Sequence, residues 1–126
     1  MQWCRMTTIL IAEDRDASRE LLRTVLVAEG YRVIEAADGR LALLKADTER
    51  PDLFLLDLQM PELDGFAVAT ALRQDARFAT TPIIALTASA MQGDREKALG
   101  MGFSAYLSKP VRLAVLRAEV SKWLPR

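Results

Sequence analysis

Apolar residues in this chain fall into short unbroken runs, separated by longer stretches in which they recur every three or four positions. The runs are Ile9-Leu10-Ile11-Ala12, Leu53-Phe54-Leu55-Leu56, Ile83-Ile84-Ala85-Leu86 and Ala105-Tyr106-Leu107-Ser108, joined by a more polar segment over 32–36. Runs of this length suit parallel strands buried on both faces. The stretches between them read as helices. Asp16 is expected to cap the first, with Leu21, Leu22, Val25 and Leu26 inward and Gly30 as its stop. Asp38-Gly39 leads into the second, which turns Leu41 and Leu44 inward and closes at Pro51. Pro61 and Asp64-Gly65 make 58–65 a loop, after which 66–73 is helical with Phe66, Val68 or Ala69, and Leu72 inward. Pro82 opens the fourth strand. Residues 92–101 form a helix poor in apolar anchors, with Ala98, Leu99 and Met101 alone. The final helix, 113–124, is anchored by Leu113, Leu116, Val120 and Leu124.

Five strands alternating with five helices predict an α/β fold, a parallel sheet covered on both faces. Right-handed crossovers leave few topologies, and the doubly wound, flavodoxin-like (βα)5 order 2-1-3-4-5 makes strands one and three neighbours at the switch point. Ligands of such sheets bind at the carboxyl ends of the strands. Those ends carry Glu13-Asp14, Asp57, Thr87 and Lys109-Pro110, which therefore converge.

With 126 residues the chain is expected to be one domain, 1–126, of which 1–6 is a short N-terminal extension and Met6 an alternative start. It ends just after the fifth helix, so no effector domain is expected on it. The 17 Lys plus Arg balance the 17 Asp plus Glu, which predicts no field for nucleic acid or an anionic membrane. No apolar stretch approaches the roughly 20 residues that span a bilayer, and 1–6 lacks the apolar core of a signal peptide. The lone Cys4 can form no intramolecular disulfide, which suits a reducing, cytoplasmic setting. Histidine is absent, and with it go Ser-His-Asp and Cys-His catalysis, histidine metal sites and any phosphohistidine on this chain.

What remains is carboxylate, hydroxyl and lysine chemistry. Three crowded carboxylates raise one another's pKa, and a divalent cation relieves that cost. Oxygen-only ligands favour Mg²⁺ over zinc or copper. Such an ion would also neutralise a phosphoryl group in transfer, with Lys109 as a second cation and the Thr87 hydroxyl as a donor. Asp57 can serve as nucleophile, since carboxylates form aspartyl-phosphates.

The motifs Ile11-Ala12-Glu13-Asp14, Leu56-Asp57-Leu58-Gln59-Met60-Pro61, Asp64-Gly65, Ala85-Leu86-Thr87-Ala88 and Ala105-Tyr106-Leu107-Ser108-Lys109-Pro110, in this order and spacing, resemble a response-regulator receiver domain of two-component signalling. The likeness runs over about 8–124. It implies that Asp57 accepts phosphate from the phosphohistidine of a sensor histidine kinase or a phosphotransfer protein. It implies that Asp14, Asp57 and the Gln59 carbonyl bind Mg²⁺ directly, with Glu13 acting largely through water. Thr87, Lys109 and the Ala88 N–H would contact the phosphoryl group, Thr87 and Tyr106 would form a switch pair, and the bond to Pro110 would be cis. A face built from the helix at 92–101, Tyr106 and the last helix would then engage a downstream partner protein, or less favoured, a second copy in a homodimer. Glu13 stands where the commonest pattern has Asp, while Gln59 and Ser89 occupy positions that tune dephosphorylation. The stretch 88–95 resembles receivers of hybrid kinases and single-domain regulators more than those that bind DNA.

The same residues bear on rival functions. Neither Gly-x-x-x-x-Gly-Lys-Ser/Thr nor Gly-x-Gly-x-x-Gly is present, so no P-loop or dinucleotide site is expected. A Mg²⁺-dependent aspartyl-phosphate phosphatase would want a second acid two residues past the nucleophile, where Gln59 stands. A phosphorylation-independent binding module would normally have lost an acid or the lysine, and all are retained.

Overall fold

The structure is a computed structural model that describes residues 6–88 and 94–124. Strands β1 (Thr8–Ala12), β2 (Arg32–Ala36), β3 (Leu53–Asp57), β4 (Ile83–Thr87) and β5 (Ala105–Ser108) form one parallel sheet in the order β2-β1-β3-β4-β5. Helices α1 (Asp16–Ala28), α2 (Gly39–Glu49), α3 (Gly65–Gln74), α4 (Asp94–Gly100) and α5 (Leu113–Trp123) cover its two faces. A single 3-10 turn, Ala76–Phe78, that the sequence pattern does not signal joins α3 to β4. Every residue of β1, β3 and β4 is buried, as continuous apolar runs require of central parallel strands.

Alternation along these strands divides the core in two. Leu10, Phe54, Leu56, Ile83 and Ala85 face α2, α3 and α4, while Ile9, Ile11, Leu53, Leu55, Ile84 and Leu86 face α1 and α5. On the first side the Phe54 and Phe78 rings meet edge to face at 5.4 Å. Such a pair adds about 0.5–1.5 kcal/mol to simple burial.

Helix starts and inner faces depart from the sequence reading at several residues. Asp38 and Asp64 cap α2 and α3, accepting from the N–H groups of Leu41 and Ala67. Asp16 instead lies inside the first turn of α1, where it pairs with Arg19, and Arg15 holds the cap position without a side-chain bond. Leu21, Leu41 and Leu44 point outward. In α2 the inner positions go to Ala42 and Ala46, whose small side chains let the helix lie close to the sheet and turn its leucines to solvent. In α5 only Leu116 and Val120 are fully inward, while Leu113 is partly exposed. Among the described side chains of α4 only Ala98 is buried, since Leu99 and Met101 face out, and the expected residues 92 and 93 lie outside those described. Trp3, Cys4 and Ser89 also lie outside them.

The far end of α4 is held from a distance by Arg73 of α3. Its Nε donates to the Gly102 carbonyl at 2.9 Å, and Nη1 donates to the carbonyls of Phe78 and Thr81, each at 2.7 Å. Nη2 reaches Ser104 Oγ, which in turn accepts from the Ile83 N–H. Lys97 adds a second tie from α4, its ammonium 4.7 Å from the Phe66 ring centre.

Candidate functional site

Strand register sets the site before any side chain is considered. Ala12 pairs with Leu56, so Glu13 comes level with Asp57, while Thr87 pairs with Ser108, so Lys109 follows directly beside it. The ladder continues past the strands: the N–H groups of Glu13, Leu58 and Lys109 donate to the carbonyls of Ala36, Leu86 and Thr87. Five chemistry-bearing residues are thereby gathered at the carboxyl edge of adjacent strands. The Lys109-Pro110 peptide bond there is cis.

Glu13 and Asp57 are buried and Asp14 is exposed, yet one carboxylate oxygen from each lies within 4.8 Å of the others. Lys109 Nζ donates to Glu13 Oε1 and, at 2.8 Å, to Asp57 Oδ2. Asp57 Oδ1 accepts from the Gln59 N–H at 3.0 Å, and Glu13 Oε2 from the Arg15 N–H at 3.2 Å. Burial pushes the Glu13 carboxyl above the ordinary glutamate value; Lys109 opposes the rise and Asp57 adds to it. Burial alone would lower the Lys109 ammonium, but the carboxylates of Asp57 and Glu13 outweigh it and hold it above the usual lysine value. Glu13 is thus the strained member of the cluster. Its oxygen-only set fits a hard divalent cation, which would remove the strain that drives its carboxyl toward protonation.

Two cavities open here. One, of about 200 Å³, is lined by Asp14, Arg15, Asp57, Gln59, Ala88 and Lys109. The other, of about 380 Å³, runs between α1 and the start of α5 past Leu21, Leu22, Val111 and Leu113. Arg15, Ala88 and Lys109 line both. Thr87 is buried behind them, and Tyr106, half buried on β5, packs against the core on the α3 and α4 side.

The match to known proteins agrees with this arrangement. The family model described as "Response regulator receiver domain" matches residues 9–121. The chain is a response-regulator receiver domain. It is 40% identical over 117 residues to the polar-differentiation response regulator DivK of Brucella anthropi, covering 93% of this chain and 95% of DivK. Among solved structures it resembles the receiver domain of the sensor histidine kinase PA1611 of Pseudomonas aeruginosa, described with magnesium in its active-site cleft. That similarity has a TM-score of 0.88, 37% identity, and coverage of 97% of this chain and all of the other. It also resembles a co-crystal structure of the Saccharomyces cerevisiae phosphotransfer protein Ypd1 with the receiver of Ssk1. There the TM-score is 0.85, identity 30%, and coverage 94% and 88%.

The receiver therefore belongs to two-component signalling. Its Gln59, exposed and carrying no acid, leaves the position a phosphatase would fill with a carboxylate to an amide. Among the described residues no helix is long and apolar enough to cross a membrane. Two cations near the site carry little mark of their place in the sequence. Arg19 donates to the Glu13 carbonyl at 2.8 Å and pairs with Glu35, bracing the turn that carries the acids. Arg15 lines both cavities, and the only signal for it was a cation directly after an acidic pair at a strand end.

Proposed function

We propose that this receiver takes a phosphoryl group onto Asp57 from the phosphohistidine of a sensor histidine kinase or phosphotransfer protein, with Mg²⁺, and so switches a protein-binding face. The carrying observation is the juxtaposition of Asp57 with Glu13, Asp14 and Lys109 in a cavity large enough for a phosphoryl group. An Asp57 carboxylate oxygen attacks phosphorus in line; the P–N bond to the donor ring, protonated on its other nitrogen, breaks, and its electron pair leaves with the neutral imidazole. Lys109 Nζ, the Thr87 hydroxyl and the Ala88 N–H hold the transferred oxygens. Asp14, Asp57 and the Gln59 carbonyl would hold Mg²⁺, with Glu13 acting through water, and the bound ion would offset the negative charge brought together. Glu13, fully buried and bonded to Lys109, suits that indirect part. The transfer and its hydrolytic reversal are the domain's own chemistry on itself, in a cytoplasmic protein.

The phosphodonor would dock over the larger cavity, where exposed Leu21 and Leu113 flank an apolar floor continuous with the acceptor site. Thr87, drawn toward the phosphate, and Tyr106 behind it would bias α4. The α4, β5 and α5 face, with Leu99, Met101 and Val115 exposed, would then meet a downstream protein rather than nucleic acid, or a second copy. Intact mass after acetyl phosphate treatment with Mg²⁺ tests the acceptor. Gain of one phosphate, lost in Asp57→Asn and in EDTA, is expected; labelling that survives either change overturns it.

A further inference from the structure

Arg15 stands at the junction of the two cavities, lining both the one that holds Asp57 and the one that runs on between α1 and α5. Its side chain is exposed, whereas Asp57 lies at the buried end of the 200 Å³ cavity they share. Lys109, the other cation lining that space, is engaged by two carboxylates, Glu13 and Asp57. The Arg15 guanidinium makes no ion pair among the described residues; only its backbone is committed, its N–H to Glu13 and its carbonyl to the Arg19 N–H. A guanidinium offers five N–H donors in a rigid fork and no acceptor, so it recognises carboxylates and rejects groups that present N–H donors.

We infer that Arg15 makes this receiver selective for acyl phosphates among small phosphodonors. The inference rests on Asp57 being the acceptor. With acetyl phosphate, an Asp57 oxygen bonds to phosphorus and the P–O bond to the acyl group breaks. Acetate leaves outward with the electron pair, and its charge develops beside Arg15. With phosphoramidate, whose nitrogen is protonated at neutral pH, the P–N bond breaks and ammonia leaves with the electron pair. That leaving group is neutral and carries only N–H donors toward the guanidinium. In-line displacement sends each leaving group away from the buried nucleophile, toward the exposed end of the cavity.

The experiment measures Asp57 phosphorylation rates with both donors at fixed Mg²⁺ and ionic strength, in the wild-type protein, Arg15→Gln and Arg15→Lys. Arg15→Gln should slow the acetyl phosphate reaction about three- to fivefold, the range of a solvent-exposed ion pair, and change the phosphoramidate rate by less than about 1.5-fold. Arg15→Lys should recover much of the loss, and the wild-type preference should shrink as salt screens the contact. Equal slowing with both donors would show a general electrostatic or folding effect, and no slowing with acetyl phosphate would show no contact; either overturns the inference. If phosphoramidate still labels Asp57 in every variant, the acceptor assignment stands whatever becomes of Arg15. If neither donor labels wild-type protein, the acceptor assignment falls and the selectivity with it.

Discussion

Gly65 is the first residue of α3 and packs directly on the backbone of the proposed phosphoacceptor, so Gly65→Ala tests whether this loop is as tightly seated as the site requires. A Cβ there would stand 2.5 Å from the Asp57 carbonyl oxygen, 3.0 Å from Leu58 Cα and 3.1 Å from the Asp57 carbonyl carbon. All three are backbone atoms, which cannot swing aside as a side-chain tip can. Reaching ordinary contact at 3.4 Å means opening the closest approach by about 0.9 Å. Overpacking of that kind costs about 1–3 kcal/mol. Ala returns up to about 1 kcal/mol through helix propensity, less at a first-turn position than in the interior. The net expectation is a loss of about 1–2 kcal/mol. For a domain of this length the unfolding entropy is about 0.26 kcal/mol per degree, so Tm should fall by about 4–8 °C, read by differential scanning calorimetry. Because the displaced atoms belong to Asp57 and its successor, the variant should also lose most of any Mg²⁺-dependent rise in Tm. An unchanged or higher Tm, as an unpacked helix start would give, refutes the argument.

Three further outcomes follow from the same geometry. Mg²⁺ at ten times its dissociation constant should stabilise the folded protein by about 1.4 kcal/mol, or about 5 °C in Tm, and Asp14→Ala should abolish the shift; an undiminished shift in that variant would place the ion elsewhere. In EDTA, Glu13 has a folded-state pKa above its unfolded value, so the folded state binds more protons between the two and wild-type stability falls as pH rises through that window. Glu13→Gln should flatten that fall in urea titrations at stepped pH, and an unaltered slope would mean that Glu13 is not its source. Arg73→Lys, which cannot serve four acceptors at once, should lower stability by about 1.5–3 kcal/mol, the scale of hydrogen bonds to a charged group, as measured by denaturant unfolding; a loss below about 0.5 kcal/mol would show the clasp to be ornamental.

Most of the sheet was legible because buried parallel strands leave a local mark: β2, β3 and β5 fall on the predicted runs, and their order follows from handedness rules. The acids and Lys109 were legible for the same reason, since each terminates such a run. Inner helix faces were less so. Leu41 and Leu44 repeat at helical spacing as Ala42 and Ala46 do, and only the closeness of α2 to the sheet decides in favour of the alanines. The clasp of Arg73 was invisible, because its partners are main-chain carbonyls up to 29 residues away and carbonyls carry no sequence identity. Arg15 escaped for a related reason. Nothing in the residue type shows whether a surface cation borders a cavity or only faces water.

The Arg73 clasp makes α4 a lever with one fixed end. Gly102 and Ser104, just beyond the helix, are fastened to α3 and to the approach to β4, whereas among the described side chains of the helix itself only Ala98 is fully buried. The opposite end of α4, at Asp94, is the end that follows in the chain from β4, which finishes at Thr87. Seven helical residues span about 10 Å, so a tilt of only about 10° about the pinned end carries the other end by nearly 2 Å. A small push on the Thr87 side is therefore magnified along the helix. One about the Gly102 end would be spent against three carbonyls held by a guanidinium. Leverage in this domain thus has a direction, and it is set by an arginine on a different helix.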